Sequence, residues 1–151
     1  MVSHVSEKAT YLAIDPGKQT GYAWFKDDGN VDFTGKVKEY DAAFDWLKSI
    51  DFSKLKAVIV EDFRLYSWKS QEQSWSRLET VKLIGAIEVF AKLGGAPVVL
   101  QGANIKSIGY MYAGLKVPKN HDMSHETDAF VHGVYYLQRN GIRAPQQGRR
   151  D

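Results

Sequence analysis

"LAIDPGKQTGYAWF", residues 12–25, is the stretch that decides the fold. An apolar run ends on Asp15, the chain turns through Pro16-Gly17, and a second apolar run resumes after Gly21. Two such runs around the tight turn "PGKQT" predict a β-hairpin, with strands over 10–15 and 21–26. The hairpin leaves a carboxylate at the tip of a buried strand. A buried carboxylate is costly unless it is paired, protonated or bound to a cation, so Asp15 needs a partner.

Working outward, "VDFTGKV" (31–37) follows the turn-forming "DDGN" and predicts a third strand. "DAAFDWLKSI" (41–50) places Ala43, Phe44, Leu47 and Ile50 at helical spacing. "KAVIVED" (56–62) is a short continuous apolar run, the pattern of a strand covered on both faces. A long helix starts near Ser76, where Ser76-x-x-Glu79 matches a capping box. Leu78, Val81, Ile84, Ile87 and Val89-Phe90 supply its apolar face, and Gly94-Gly95 ends it. "APVVLQ" (96–101) is another strand and "NIKSIGYMYAGL" (104–115) a short helix. "KVPKNHDM" (116–123) is a loop, and "SHETDAFVHGVYYLQRNG" (124–141) is a last helix closed by Gly141. A hairpin followed by alternating helices and strands predicts an α/β fold, a mixed sheet flanked by helices. The whole chain, 1–151, reads as one domain, with 1–9 and 142–151 as flexible tails.

Composition narrows the chemistry. There is no cysteine, which removes disulfides, thiolate metal sites and cysteine nucleophiles. The start, "MVSHVSEKAT", lacks a signal-peptide core and no run is long enough to span a bilayer, so a cytoplasmic protein without membrane partners is expected. Net charge is only +2. The final residues concentrate Arg143, Arg149 and Arg150, a solvated end or a contact to a polyanion.

Three acidic positions stand out. Asp15 and Glu61 each end an apolar strand, and central, adjacent strands bring those ends together. Alternation sends the neighbouring Asp62 to the other face. His125 and Asp128, three residues apart at the start of the last helix, share one helix face, with Glu126 and Asp122 as outlying carboxylates. His132 lies on the same face, either as a packed core histidine or as support for the cluster. "HETDA" is not the zinc-protease pattern His-Glu-x-x-His, because its fifth residue is Ala129. Three ionised carboxylates need counter-charge, and oxygen-rich sites suit Mg²⁺ or Mn²⁺. Two such ions ~3.5–4 Å apart drive in-line displacement at phosphodiesters.

"FRLYSWKSQEQSW" (63–75) mixes aromatics and cations without a period. Aromatics stack on unpaired bases and cations hold phosphates, which makes Phe63, Arg64, Tyr66, Trp68 and Lys69 candidate DNA contacts. The competing reading is that its aromatics anchor the loop to the long helix. Lys18, Lys116 and Lys119 are candidate phosphate contacts of the sequence-independent kind.

"AIDPGKQTGYA", "VIVEDF" and "SHETDAFVHGVYY", in that order and spacing, resemble the RuvC family of Holliday junction resolvases within the RNase H-like superfamily, in the short form found in phages. The resemblance covers roughly residues 10–140 and implies an RNase H-like five-stranded mixed sheet. It implies Asp15, Glu61, His125 and Asp128 as catalytic and metal-binding residues, with Asp15 bridging two Mg²⁺ ions that Mn²⁺ can replace. It further implies branched DNA as substrate, paired symmetric nicks leaving 5′-phosphates, and an aromatic wedge at Phe63 or Tyr66. A homodimer through the helix over 76–93 and the absence of a nucleotide cofactor follow from the same resemblance; if phage-encoded, the protein would work in the host cytoplasm. A sister nuclease for flaps or RNA–DNA hybrids, and an inactive junction-binding module, are the alternatives. Actin-like ATPases share the Asp-x-Gly turn but need two such domains.

Overall fold

The computed structural model describes residues 3–62, 75–118 and 124–145; the side chains of Trp75 and Ser76, and with them the capping box, also lie outside the described set. The opening motif forms β1 (Tyr11–Asp15) and β2 (Gln19–Phe25), antiparallel, with Tyr11 opposite Phe25 and Asp15 opposite Gly21. The Thr20 hydroxyl donates to the Gly17 carbonyl at 3.1 Å and closes the turn. β3 (Val31–Lys38) pairs antiparallel with β2, and its register shifts at Trp24/Phe25. β4 (Ala57–Glu61) lies parallel to β1, and β5 (Val98–Gln101) parallel to β4. The strand order β3-β2-β1-β4-β5 is the mixed sheet of the RNase H-like fold. Helices α1 (Tyr40–Ser49), α2 (Trp75–Gly94), α3 (Lys106–Tyr112) and α4 (His125–Arg139) flank it.

Strand alternation assigns the two faces. Leu12, Ile14, Tyr22, Trp24, Val58 and Val60 point to one side and pack with α1 and α2. Tyr11, Ala13, Ala23, Phe25, Ala57 and Ile59 point to the other, where α3 and α4 cover them. Asp15 and Glu61 continue the second series, so both carboxylates face α4. The first two strands are central because neither face is left to water, which is why they read as unbroken apolar runs.

Small residues let α4 sit close to the sheet. Ala13, Ala23, Ala57 and Ala129 are fully or almost fully buried at this interface. A Cβ on Gly133 would stand 2.2 Å from the Phe25 ring, and one on Gly21 would stand 2.0 Å from the His125 carbonyl oxygen. The first helical turn of α4 therefore rests on the backbone of β2 at Gly21. Gly21→Ala forces backbone against backbone, which rotamer changes cannot relieve. It is expected to cost about 3 kcal/mol, the upper end for overpacking, in urea unfolding. A loss under about 0.5 kcal/mol would mean that α4 does not sit there.

Elsewhere the structure departs from sequence expectation. Residues 3–9 are held rather than loose: the His4 carbonyl accepts from the indoles of Trp24 (3.0 Å) and Trp46 (2.9 Å), and Ser6 donates to Asp32. Two buried tryptophans need acceptors for their N–H groups, and this segment provides one. At the other end, Arg143 donates to the Gly29 carbonyl at 3.0 Å and lies over Phe130, and Ile142 packs against the second core face, so 142–143 are also held. The short helix runs as a 3-10 turn (Ala103–Ile105) leading into α3, which stops at Tyr112. Gly141 follows α4 at φ +71°, a conformation that favours glycine and ends the helix as expected. The apolar face read for α2 splits in two. Leu83, Ile84, Ile87 and Ala91 are buried, while Leu78, Val81 and Val89 are exposed and align with Leu93, 81% exposed. At about 100° per residue these are separate stripes on nearly opposite sides of the helix.

Candidate metal centre

The carboxyl ends of β1 and β4 present Asp15 and Glu61 side by side, one step beyond the Ile14–Val60 pair. Asp128 reaches them from the first turn of α4, which Gly21 has let down onto the sheet. One oxygen from each of Asp15, Glu61 and Asp128 lies within 4.8 Å of the others. Asp15 is 6% and Asp128 4% exposed. Three carboxylates this close and this dry cannot all be ionised without positive charge among them.

Two side chains supply it. The Lys106 ammonium sits 2.9 Å from Glu61 Oε1 and 3.2 Å from Asp128 Oδ2. His125 Nδ1 lies 2.9 Å from Asp15 Oδ2. Burial pushes Asp15 up to about 7, partly opposed by the His125 contact and reinforced by Glu61. Burial acts the same way on Glu61, but contacts from His132, Asp15 and Lys106 outweigh it and hold the carboxyl well below its usual range. The pair thus divides its protonation: Asp15 holds a proton more readily and Glu61 stays ionised. His125 is raised by its bond to Asp15, against the opposing effect of burial. Tyr110 donates to Asp128 Oδ1 at 3.1 Å, and its own hydroxyl is pushed up to about 12, by burial first and then by that carboxylate.

Of the residues selected from sequence, the structure brings together Asp15, Glu61, Asp128 and His125, the last through Asp15 and half exposed. Glu126 stands apart, lining a shallow groove with Val31, Thr34, Leu115 and Phe130. Lys18 and Lys116 are exposed. Phe63, Arg64, Tyr66, Trp68, Lys69, Lys119 and Asp122 lie outside the described residues, as do Arg149 and Arg150. Sequence reasoning missed Lys106, Tyr110 and Gln101. Gln101 was within reach, because it ends a third parallel strand at the same edge, opposite Glu61. Lys106 and Tyr110 had no signal, since only the packing of α3 against α4 carries them to the cluster.

The donor set fits a hard divalent cation: oxygens dominate, they are buried, and the ammonium now between two of them marks where positive charge is needed. Neither a family model nor a curated protein sequence matches this chain. Solved structures do. The structure of Thermus thermophilus RuvC covers 87% of this chain and 96% of its own, at 19% identity and TM-score 0.59. T. thermophilus RuvC in complex with Holliday junction substrate matches over the same shares, at 19% identity and TM-score 0.58. The chain therefore has the RNase H-like fold in its RuvC-like form, with three carboxylates, Asp15 and Asp128 buried and Glu61 partly so, gathered at the carboxyl ends of its central parallel strands.

Proposed function

We propose that the protein is a metal-dependent, structure-selective endodeoxyribonuclease that resolves Holliday junctions by paired symmetric nicks leaving 5′-phosphates. The convergence of Asp15, Glu61 and Asp128 at one buried point carries the reading, because such a cluster destabilises the fold unless it serves a cation. In this reading Asp15, Glu61, Asp128 and His125 would together hold two Mg²⁺ ions. Bound there, such ions (or Mn²⁺ in their place) would supply Lewis acidity toward a phosphodiester. The chain's own part is to hold the carboxylates rigidly. Asp15 and Glu61 are fixed by paired strands, Asp128 by the Tyr110 hydroxyl, and His125 by Asp15. Lys106 neutralises the cluster until cations arrive.

Branched DNA is proposed as the partner by analogy with the T. thermophilus complex. Phe63, Arg64, Tyr66, Trp68 and Lys69, next in sequence after Asp62, are the proposed contacts to the branch point, with Phe63 or Tyr66 as wedge. Lys18, Lys116 and Lys119 would hold phosphates. The outer stripe of α2, Leu78, Val81, Val89 and Leu93, supports a homodimer that pairs two active sites for two nicks. No helix among the described residues is long and apolar enough to cross a membrane.

Cleavage of end-labelled four-way junction, flap, duplex and RNA–DNA hybrid in Mg²⁺, Mn²⁺ and EDTA tests the proposal. Symmetric paired nicks confined to the four-way junction and lost in EDTA are expected. Cutting of flaps or hybrids would move the activity to a sister nuclease with the same acids. Junction binding that ignores EDTA, with no cutting, would leave an inactive binding module.

A further inference from the structure

Behind the carboxylate cluster, Glu61 is backed by two buried side chains, Gln101 and His132. Gln101 ends β5 opposite Glu61. His132 lies about two turns along α4 from His125 and exposes no surface. The Gln101 side-chain nitrogen reaches two atoms of His132, its main-chain carbonyl oxygen and its ring Nδ1, each at 3.0 Å. A carbonyl oxygen only accepts, so the Gln101 atom facing it is the NH₂ group, whose two hydrogens serve both contacts. His132 Nδ1 is then an acceptor, and the ring proton sits on Nε2. That nitrogen stands 3.6 Å from Glu61 Oε2. Neither atom has a hydrogen-bond partner among the described residues, and the two face one another just beyond hydrogen-bond distance. The second oxygen, Oε1, faces Lys106 and through it Asp128.

We infer that Gln101 and His132 form a tautomer lock: Gln101 fixes His132 as an Nε2–H donor, and His132 draws one oxygen of Glu61 away from the cluster. Glu61 then offers the metal centre a single oxygen. His132 is a positioning residue and not a ligand, because the nitrogen nearest the cluster carries a proton. The lock also bears on metal choice. A free Nε2 lone pair at this point would add a nitrogen donor and turn an oxygen site suited to Mg²⁺ toward Zn²⁺ and its neighbours. Gln101, whose side-chain amide bonds the His132 ring and main chain, keeps that lone pair protonated. The inference rests on the proposed metal centre for its consequence, but the tautomer itself is independent of metal.

The test uses the full chain. Long-range ¹H–¹⁵N correlation of ¹⁵N-histidine-labelled protein in EDTA is expected to show His132 protonated at Nε2 and bare at Nδ1; the opposite tautomer, or a ring protonated at both nitrogens, overturns the lock. Calorimetric titration is expected to show Mg²⁺ affinity falling about 10–100-fold in His132→Ala, the range for lost outer support of metal ligands. His132→Gln, which returns an N–H donor, should recover most of it. Gln101→Glu replaces the donor to Nδ1 by an acceptor, so the ring, then flanked by two carboxylates, should carry protons on both nitrogens in the same spectrum; an unchanged Nε2–H tautomer would show that Gln101 does not set it. Folded His132→Ala with Mg²⁺ affinity within about twofold of wild type would overturn the positioning role, judged against the 10–100-fold expectation. Wild-type protein that binds neither Mg²⁺ nor Mn²⁺, with the Nε2–H tautomer present, would overturn the metal centre and the selectivity role together.

Discussion

Asp15→Asn is expected to abolish DNA cleavage while making the metal-free fold more stable above pH 7. The catalytic loss should be at least about 10²–10³-fold, the cost of removing one preorganised electrostatic group from a reacting centre. The stability gain comes from burial. The folded chain holds the Asp15 proton up to about pH 7, whereas an ordinary aspartate releases it near 3.8. Between these values the folded state binds more protons than the unfolded, so stability falls as pH rises and stays reduced above the folded pKa. At about 1.4 kcal/mol per pKa unit the ceiling is about 4 kcal/mol. His125 offsets part of this, since its raised pKa keeps it charged beside Asp15 as that carboxyl ionises; the help fades as pH climbs through the raised value. Asparagine carries no such penalty. Melting curves from pH 4 to 9 in EDTA should therefore converge at the acid end and separate toward pH 8, with the variant higher. Mg²⁺ should then raise the wild type and leave the variant nearly unmoved. Parallel pH curves would mean that Asp15 is not the strained carboxylate.

Lys106→Met is expected to act in the opposite sense. Burial pulls the ammonium's pKa down, but Glu61 and Asp128 beside it more than reverse this and keep it charged. Removing it leaves two buried carboxylates without their nearest cation, a loss of about 3–5 kcal/mol for breaking a buried pair. Mg²⁺ should restore much of that stability by mass action, because it binds the folded state alone. Its affinity should also rise, since no ammonium has to leave the gap between Glu61 and Asp128. Melting in EDTA and across a Mg²⁺ titration checks both halves. A variant as stable as wild type in EDTA would show that Lys106 is not the counter-ion of the cluster.

Much of this site could be read along the chain. Asp15 and Glu61 were visible because a carboxylate ending an otherwise apolar strand contradicts its surroundings, and such a contradiction needs a chemical reason. His125 and Asp128 were visible because three-residue spacing on a helix puts them on one face. Lys106 was not visible: a lysine opening a short amphipathic helix is ordinary, and its meaning comes from where α3 is packed. Gln101 looked like a polar strand end until the β4–β5 register set it opposite Glu61. His132 allowed two readings, and the Gln101 amide, distant in sequence, is what distinguishes them.

What the chain determined by itself were its local periods and breaks: the hairpin around Pro16-Gly17, the buried strands, the last helix and its Gly141 stop. These follow from backbone sterics and from the alternation or 3.6-residue repeat of apolar side chains, which are properties of neighbours along the chain. The tertiary structure alone decided which apolar stripe of α2 is buried, that residues 3–9 are tied down by two indoles, and that Lys106, Gln101 and His132 surround the carboxylates. Those outcomes depend on contacts between segments far apart in sequence, where packing and the pairing of buried polar groups choose among alternatives that local pattern leaves equal.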